Sequence, residues 1–159
     1  MQVLHDDVFG DLEYQCGWIR PYTYLIWGEK TNVKMIIPCD VGADIEKAQR
    51  QAFINFDEKK NQLMPMIEQS MFDYYQRICD EYRSSVGPGF SDERCPKTNN
   101  PLQLRSLVMP TEIVVQQSFG AEERVIGLLF RCTWEPELGL AVKIVNEEIE
   151  EVGTQDIVL

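Results

Sequence analysis

The stretch WEPELGLAVKIVNEEIEEVGTQD, residues 134–156, decides the fold, because it contains two strand-like apolar runs on either side of a short acidic turn. Asn146 followed by Glu147 is a tight-turn signal, so the two runs predict a β-hairpin. The stretch contains no residue pattern typical of a catalytic centre. The hairpin therefore points to a domain that binds a partner rather than one that catalyses a reaction.

Short strands are predicted at both ends of the chain. Alternation of apolar and polar residues over 12–18 indicates a half-buried strand entered by a turn at Phe9-Gly10-Asp11, and Pro21 is expected to end or bend it. Residues 22–27 and 33–37 predict two more strands joined by a polar hairpin loop, which completes a three-stranded antiparallel meander. The C-terminal part adds candidate strands at 111–118, 124–134, 138–145 and 149–158.

The middle of the chain has helical periodicity, with apolar residues spaced three, four or seven apart from Ile45 to Tyr82. Asp44 is a candidate N-cap, and Pro65 either kinks one helix or starts the second of two. Residues 84–100 lack periodicity and predict a mobile surface loop, either a partner contact or a tolerated insertion. The expected fold is a single α+β domain over 1–159: an antiparallel sheet with two central helices packed on one face.

Length and hydropathy limit the function classes. The 159 residues, 44% of them apolar, suffice for one domain with its own core. The longest apolar run, residues 125–130, is far shorter than the roughly 20 residues that a membrane-spanning helix needs. The start of the chain has neither the basic residues nor the apolar segment of a secretory signal, so we expect a cytoplasmic protein that does not associate with membranes.

Cysteine and histidine content argues against metal and triad chemistry. The five cysteines are spread along the chain without a Cys-x-x-Cys pair and are expected to be reduced thiols. His5 is the single histidine and lies in an N-terminus expected to be mobile. We predict no metal site and no cofactor, and a Ser or Cys nucleophile would lack its usual general base. The chain is not expected to be an enzyme.

The formal net charge of −11 and the pI near 4.5 argue against direct binding of nucleic acid, which needs Lys and Arg on the protein. From Glu135 onward seven acids stand against one base, Lys143, so much of the charge lies at one end of the sequence. Acidity of this kind either serves solubility or steers a basic partner to that end of the domain.

Two groups of motif residues carry a family resemblance. Near the start they are Phe9-Gly10-Asp11-Leu12-Glu13-Tyr14 and Gly17-Trp18, and near the end Trp134-x-Pro136-Glu137-x-Gly139-Leu140-x-Val142 and Val152-Gly153-x-Gln155-Asp156. They resemble a bacterial family of small domains of unknown function, some of whose relatives resemble immunity proteins of polymorphic-toxin and contact-dependent inhibition systems. The loop at 84–100 lies outside the resemblance, and Leu138 stands where relatives commonly carry His.

The motif residues also have a structural interpretation. Gly139 and Gly153 can adopt backbone angles that other residues avoid, and Trp18 and Trp134 are large anchors for burial. Gln155 and Asp156 are expected to make cap or turn hydrogen bonds within the sheet. In this interpretation the motif identifies the fold, and the binding surface lies elsewhere on the domain.

Two functions remain open. The resemblance implies an immunity or inhibitor protein that binds a cognate, basic toxin domain, such as a nuclease, and presents carboxylates in place of phosphates. The acidic contacts predicted for it are Glu147, Glu148, Glu150 and Glu151 on the hairpin, with Asp73, Asp80 and Glu81 on the helix; the predicted aromatic anchors are Tyr82 and Phe90. The alternative is a hydrolase with paired carboxylates, Glu135 with Glu137 or Glu148 with Glu150, about 7 Å apart on one strand face.

Overall fold

The computed structural model describes residues 2–159 and shows an α+β fold with one large sheet and one long helix. The strands are β1 (Val3–Asp6), β2 (Gly10–Tyr14), β3 (Trp18–Ile26), β4 (Glu29–Ile37), β5 (Val108–Val115), β6 (Val125–Cys132), β7 (Leu140–Val145) and β8 (Glu148–Gly153). The helices are α1 (Lys47–Val86) and α2 (Ser91–Arg94), with 3-10 turns at Pro101–Ser106 and Gln155–Ile157. None of the helices in this part of the chain is apolar and long enough to cross a bilayer.

The eight strands form a single sheet in sequence order from β1 to β8. Every neighbouring pair is antiparallel except β4 and β5, which run parallel with Met35 opposite Ile113. A parallel pair needs a long crossover, and α1 supplies it between these two strands. The prediction of an antiparallel sheet is therefore wrong at this one pair, where the N-terminal and C-terminal halves join.

The N-terminal half has four strands instead of the predicted three. The strand predicted over 12–18 is divided by a turn in which Cys16 and Gly17 have φ of 57° and 139°, and β1 precedes it. Pro21 lies inside β3 opposite Lys34 and does not end the strand. The β3–β4 turn is also tighter than predicted, since Trp27 and Gly28 with φ of 50° and 75° form its two central residues.

The four predicted C-terminal strands are confirmed as β5 to β8, with small shifts of their ends. The tight turn predicted at Asn146 is also confirmed, because Asn146 and Glu147 both have positive φ, 50° and 64°. The last strand is shorter than predicted: β8 ends at Gly153, and the chain then forms the turn Gln155–Ile157.

The two predicted helices are one continuous helix of 40 residues, about 60 Å long at 1.5 Å per residue. Pro65 lies within it on the exposed side, where water can solvate the carbonyl that loses its hydrogen bond. The helix begins at Lys47, and Glu46, not the predicted Asp44, is the N-cap. Sequence alone left one bent helix or two as alternatives, and the exposed position of Pro65 explains how a single helix tolerates it.

Gln49 ties the start of α1 to the sheet at the parallel junction. Its side chain is 1% exposed. Its Nε2 donates to the carbonyls of Pro38 (2.8 Å) and Val115 (3.0 Å), which follow β4 and end β5, and its Oε1 accepts from Glu46 N (2.9 Å). All polar atoms of this buried amide are therefore hydrogen-bonded. These bonds fix the position of the first turn of α1 relative to β4 and β5.

The stretch predicted as an irregular loop over 84–100 is partly helical. Residues 84–86 complete α1, and Ser91–Arg94 form α2. Arg83 Nη1 donates to the carbonyls of Ser91 (3.1 Å) and Cys95 (2.9 Å), and Tyr75 Oη donates to Pro96 O at 2.5 Å. This segment is thus hydrogen-bonded to α1; its mobility stays a prediction.

The main core lies between α1 and one face of the sheet. Tyr22 packs against Phe53 of α1 at a centroid separation of 5.9 Å, and Tyr75 packs against Trp134 at 4.7 Å. A smaller cluster on the other face consists of Val114, Leu129, Ala141 and Val158. The C-terminal segment after β8 therefore covers part of the face that α1 leaves open.

Candidate functional site

Three exposed carboxylates of α1 and three of the edge strand β8 make up the predicted acidic surface. We call it the acidic face; its members are Asp73, Asp80, Glu81, Glu148, Glu150 and Glu151, all of them exposed. A shallow depression of about 290 Å³ separates the two elements and is lined by Asp73, Arg77, Glu150 and Glu151, among others. The structure thus brings the predicted helix acid Asp73 beside two acids of the predicted hairpin.

Asp80 and Glu81 lie farther along α1, about 10 to 12 Å from Asp73 at 1.5 Å per residue. Asp73 and Asp80 are seven residues apart and share one face of the helix, together with the exposed Met66. None of the six carboxylates lies within 4.0 Å of a Lys or Arg nitrogen of the described residues. Two bases, Arg77 and Lys143, belong to the same region.

Glu147, predicted as a partner contact, is bound internally. Its Oε2 and Oε1 accept hydrogen bonds from Nε and Nη2 of Arg124 at 2.8 and 3.0 Å, and its side chain is only 11% exposed. The hydrogen bonds from Arg124 hold the pKa of this carboxyl below its ordinary value. Glu147 therefore fixes the β7–β8 turn, and its role as a partner contact stays a prediction that this ion pair disfavours.

The edge strand β8 contains an irregularity at Glu150. Ile149 pairs with Ile144 and Glu151 with Lys143, so Glu150 is an extra residue without a partner position on β7. The regular alternation that would place Glu148 and Glu150 on one face is broken there. The regular strand geometry assumed for this carboxylate pair is therefore interrupted, and the hydrolase alternative stays a prediction.

Glu135 and Glu137 do not lie on a strand, because they belong to the connection between β6 and β7. Glu135 Oε2 accepts a hydrogen bond from Tyr82 Oη at 2.9 Å. Burial and the neighbouring Glu135 raise the pKa of the Tyr82 hydroxyl, which keeps it a donor. Tyr82 is thus half-buried, and its hydroxyl is already hydrogen-bonded to Glu135. As the predicted aromatic anchor, it can offer a partner only the exposed part of its ring.

Phe90 is exposed by 52% and lies in the turn before α2. The Arg94 guanidinium is 5.2 Å from the centroid of its ring. Phe90 follows the C-terminal end of α1, which is also the end of the helix that carries Asp80 and Glu81. Phe90 is an exposed aromatic side chain at that end of the helix.

A larger concavity, an open groove of about 870 Å³, lies elsewhere on the sheet and is lined by residues of β1 to β4 and Thr111. His5 and Asp11 lie on its rim with Nδ1 and Oδ1 2.7 Å apart, and this hydrogen bond raises the pKa of His5. Both side chains are largely exposed, at 74% and 94%. Sequence reasoning placed His5 in a mobile N-terminus, whereas the structure places it in β1.

The carboxyl pKa shifts in the structure run downward. Burial of Asp6 opposes its ionisation, but hydrogen bonds from Arg50 and from the N–H groups of Phe9 and Val8 outweigh burial and lower its pKa. Burial likewise opposes the ionisation of Asp57, and donors from Tyr22 and Lys60 lower its pKa. These shifts stabilise charged carboxylates in structural roles. Within residues 2–159, no three His, Cys, Asp or Glu side chains are grouped so that they could hold a metal ion.

The chain belongs to a family described as a domain of unknown function, DUF6985, whose model matches residues 8–159. No curated protein and no solved structure matches the chain. The family description contains neither an activity nor a partner, so the expected relation to immunity proteins stays a prediction.

Proposed function

We propose that this member of the DUF6985 family is a cytoplasmic binding protein that captures a basic protein domain on its acidic face, in the manner of an immunity protein. The observation that carries the proposal is the contrast between paired and unpaired carboxylates. Asp6, Asp57 and Glu147 are bonded to basic side chains of the same chain, whereas the six carboxylates of the acidic face make no such ion pair among the described residues. These six remain available to a partner.

The shape of the acidic face favours a protein partner over a small molecule. The depression between α1 and β8 measures about 290 Å³, at the lower limit of pockets that enclose small ligands. A shallow, exposed surface with several carboxylates suits a basic protein, because like charges spread over a surface steer association and set orientation. A nuclease domain is a fitting partner class, since its phosphate-binding groups would accept carboxylates.

Affinity would come from apolar and aromatic groups beside the acids. Met66 is 57% exposed on the same helical stripe as Asp73 and Asp80, and Phe90 is 52% exposed near the end of α1. Interface energies concentrate in such anchors, whereas charges on the rim mainly set the association rate. The proposal therefore assigns the acids to steering and Met66 and Phe90 to retention of the complex.

The first test is co-expression with the protein encoded next to this chain, followed by affinity purification and size-exclusion chromatography. We expect a stable complex, and we expect the neighbouring protein to be toxic when it is expressed alone. Absence of both a complex and toxicity would remove the immunity interpretation.

A charge-reversal pair then tests the surface. Glu148→Lys with Glu151→Lys should slow association by about tenfold at low salt, with a smaller effect at high salt. The matched control is Asp7→Lys with Glu13→Lys, which changes net charge equally but lies near β2, six strand spacings or about 29 Å from β8. Equal slowing by both pairs would show that only net charge matters and would contradict the acidic face as the binding surface.

A further inference from the structure

Two buried cysteines lie side by side at the C-terminal end of α1. Cys79 Sγ is 3.6 Å from Cys95 Sγ, although the residues are 16 apart in sequence. Cys79 is 6% exposed and belongs to α1, and Cys95 is fully buried directly after α2. A disulfide needs an S–S distance of about 2.05 Å, so an approach of about 1.5 Å would join the two residues covalently.

The surroundings hold the two sulfur atoms in this arrangement. Cys79 Sγ lies 3.6 Å from the carbonyl oxygen of Cys95, and Cys95 Sγ lies 3.6 Å from that of Cys79. Arg83 donates to the carbonyls of Ser91 and Cys95, and Tyr75 donates to that of Pro96. Several independent contacts therefore position the segment against α1 and keep the two thiols next to each other.

The other cysteines are less suited to either thiol. Cys132 Sγ contacts the carbonyl oxygen of Glu135 at 3.6 Å, and Cys39 Sγ contacts that of Ala43 at 3.3 Å. Cys16 is exposed in the β2–β3 turn. Cys79 and Cys95 form the one thiol–thiol contact among the described residues.

We propose that Cys79 and Cys95 are an oxidative modification site at which hydrogen peroxide closes a disulfide between α1 and the segment after α2. The thiol of Cys79 attacks one peroxide oxygen, which gives a sulfenic acid on Cys79 and releases one water. The sulfur of Cys95 then attacks the sulfenic sulfur, the S–O bond breaks, and the hydroxyl leaves as a second water with the proton of Cys95. Two thiols are oxidised by two electrons, and one peroxide is reduced to two waters.

Burial determines the order and the rate of these steps. Cys79 reacts first because it retains some exposure, whereas burial raises the pKa of the Cys95 thiol to about 11 and keeps it protonated until the second step. A small, neutral oxidant suits the site better than a bulky disulfide reagent, since the thiols are almost fully covered. Oxidation should therefore be slow compared with that of an exposed, reactive cysteine.

The disulfide would act on a defined part of the surface. It would close a loop over residues 79–95 that contains Phe90 and α2, and it would lie next to Asp80 and Glu81. A cross-link of this length restricts the unfolded chain and stabilises the fold. The inference does not depend on the proposed function, because it concerns only the covalent state of this chain.

The test uses the native full-length protein. It is incubated with hydrogen peroxide, free thiols are blocked with an alkylating reagent after denaturation, and the protein is digested with trypsin without reduction. We expect a cross-linked pair of the tryptic peptides 78–83 and 95–97, lighter than their sum by two hydrogens and separated by a reducing agent. Alkylation of both thiols after peroxide treatment, or linkage of Cys95 to Cys132, would overturn the proposal.

A second measurement checks the structural consequence. The oxidised protein should unfold at a temperature about 5 to 10 °C higher than the reduced protein. Cys79→Ser should abolish both the cross-link and the shift, whereas Cys16→Ser should retain both. A rise in the unfolding temperature of the oxidised wild-type protein without the Cys79–Cys95 cross-link would contradict the assignment. This comparison uses the wild-type protein alone, so it can be made even if Cys79→Ser does not fold.

Discussion

Arg124, directly before β6, binds Glu147 in the β7–β8 turn through two hydrogen bonds, 2.8 Å from Nε to Oε2 and 3.0 Å from Nη2 to Oε1. Paired bonds of this kind are among the stronger polar contacts in proteins, because both partners are charged and the geometry is planar. Asn146 Oδ1 accepts from the backbone N–H of Arg124 at 3.1 Å and closes the same turn against β6. The acidic turn that is most prominent in the sequence is thus partly neutralised in the fold.

Glu147→Gln should destabilise the protein by about 1 to 2 kcal/mol, because it removes a charged acceptor from a pair that is mostly shielded from water. Urea unfolding followed by circular dichroism measures the change. The matched control is the neighbouring Glu148→Gln, which removes the same charge from an exposed side chain and should change the free energy of unfolding by less than about 0.5 kcal/mol. Equal effects of the two substitutions would show that the ion pair contributes nothing beyond net charge.

Local sequence patterns were sufficient to predict most helices and strands but not how these elements pack together. Alternation of apolar and polar residues located β5 to β8, and the Asn146–Glu147 signal located their last turn. The parallel pairing of β4 with β5 depends on which strand edges meet after a 40-residue crossover, and no local pattern encodes that choice. The sequence therefore predicts the class of the fold better than the connection of its two halves.

The candidate site was predictable only in part, for a similar reason. The acids of α1 and β8 were visible as exposed charges, but the position of Asp73 beside Glu150 and Glu151 arises from the packing of one element on the other. The ion pair between Glu147 and Arg124, which lies 23 residues earlier, could not be predicted from the residues that flank either side chain in the sequence. The adjacency of Cys79 and Cys95 also depends on how the chain returns after α1.

Asp6 is predicted to be a major stabilising residue of the N-terminal hairpin. Its Oδ1 accepts from Arg50 Nη2 at 2.6 Å, and its Oδ2 accepts from the backbone N–H groups of Val8 and Phe9 at 2.9 and 3.0 Å. Asp6→Ala leaves all of these donors without their acceptor and should cost about 2 to 3 kcal/mol in thermal or urea unfolding. Asp7→Ala, which removes an exposed carboxylate next to it, should stay within about 0.5 kcal/mol.

The pH dependence of stability should follow from the three lowered carboxyl pKa values of Asp6, Asp57 and Glu147. In the unfolded chain these groups titrate at about 3.9 for Asp and 4.3 for Glu. Because their folded-state pKa values are lower, the unfolded state binds protons first as the pH falls. Their stabilisation is fully present above about pH 5 and is lost as the pH falls through the folded-state values.

Urea midpoints measured between pH 3 and pH 7 would check this dependence. The wild-type midpoint should fall steeply below about pH 4.5, and Glu147→Gln should show a shallower fall because one of the linked groups no longer titrates. His5 has the opposite sign, since its pKa is raised and its contribution is lost as the pH rises, but the residue is exposed and its effect should be small. A midpoint that does not change between pH 3 and pH 7 would contradict the structural role of the three carboxylates.

The C-terminal segment should be sensitive to added volume at Gly127. A Cβ atom at this position would lie 2.7 Å from Val158 Cβ, which is closer than packed atoms allow. Gly127→Ala should therefore destabilise the protein by about 1 to 3 kcal/mol through overpacking between β6 and the segment after β8. Combining it with Val158→Gly removes the Cβ and both methyl groups in the way, so the double variant should lose less than the sum of the two single changes. Gly153→Ala is the matched control, since its Cβ would lie 3.4 Å from Ile157 at a φ that other residues can adopt. If Gly127→Ala and Gly153→Ala unfold at the same urea concentration, the close contact between Gly127 and Val158 does not hold the segment on the sheet.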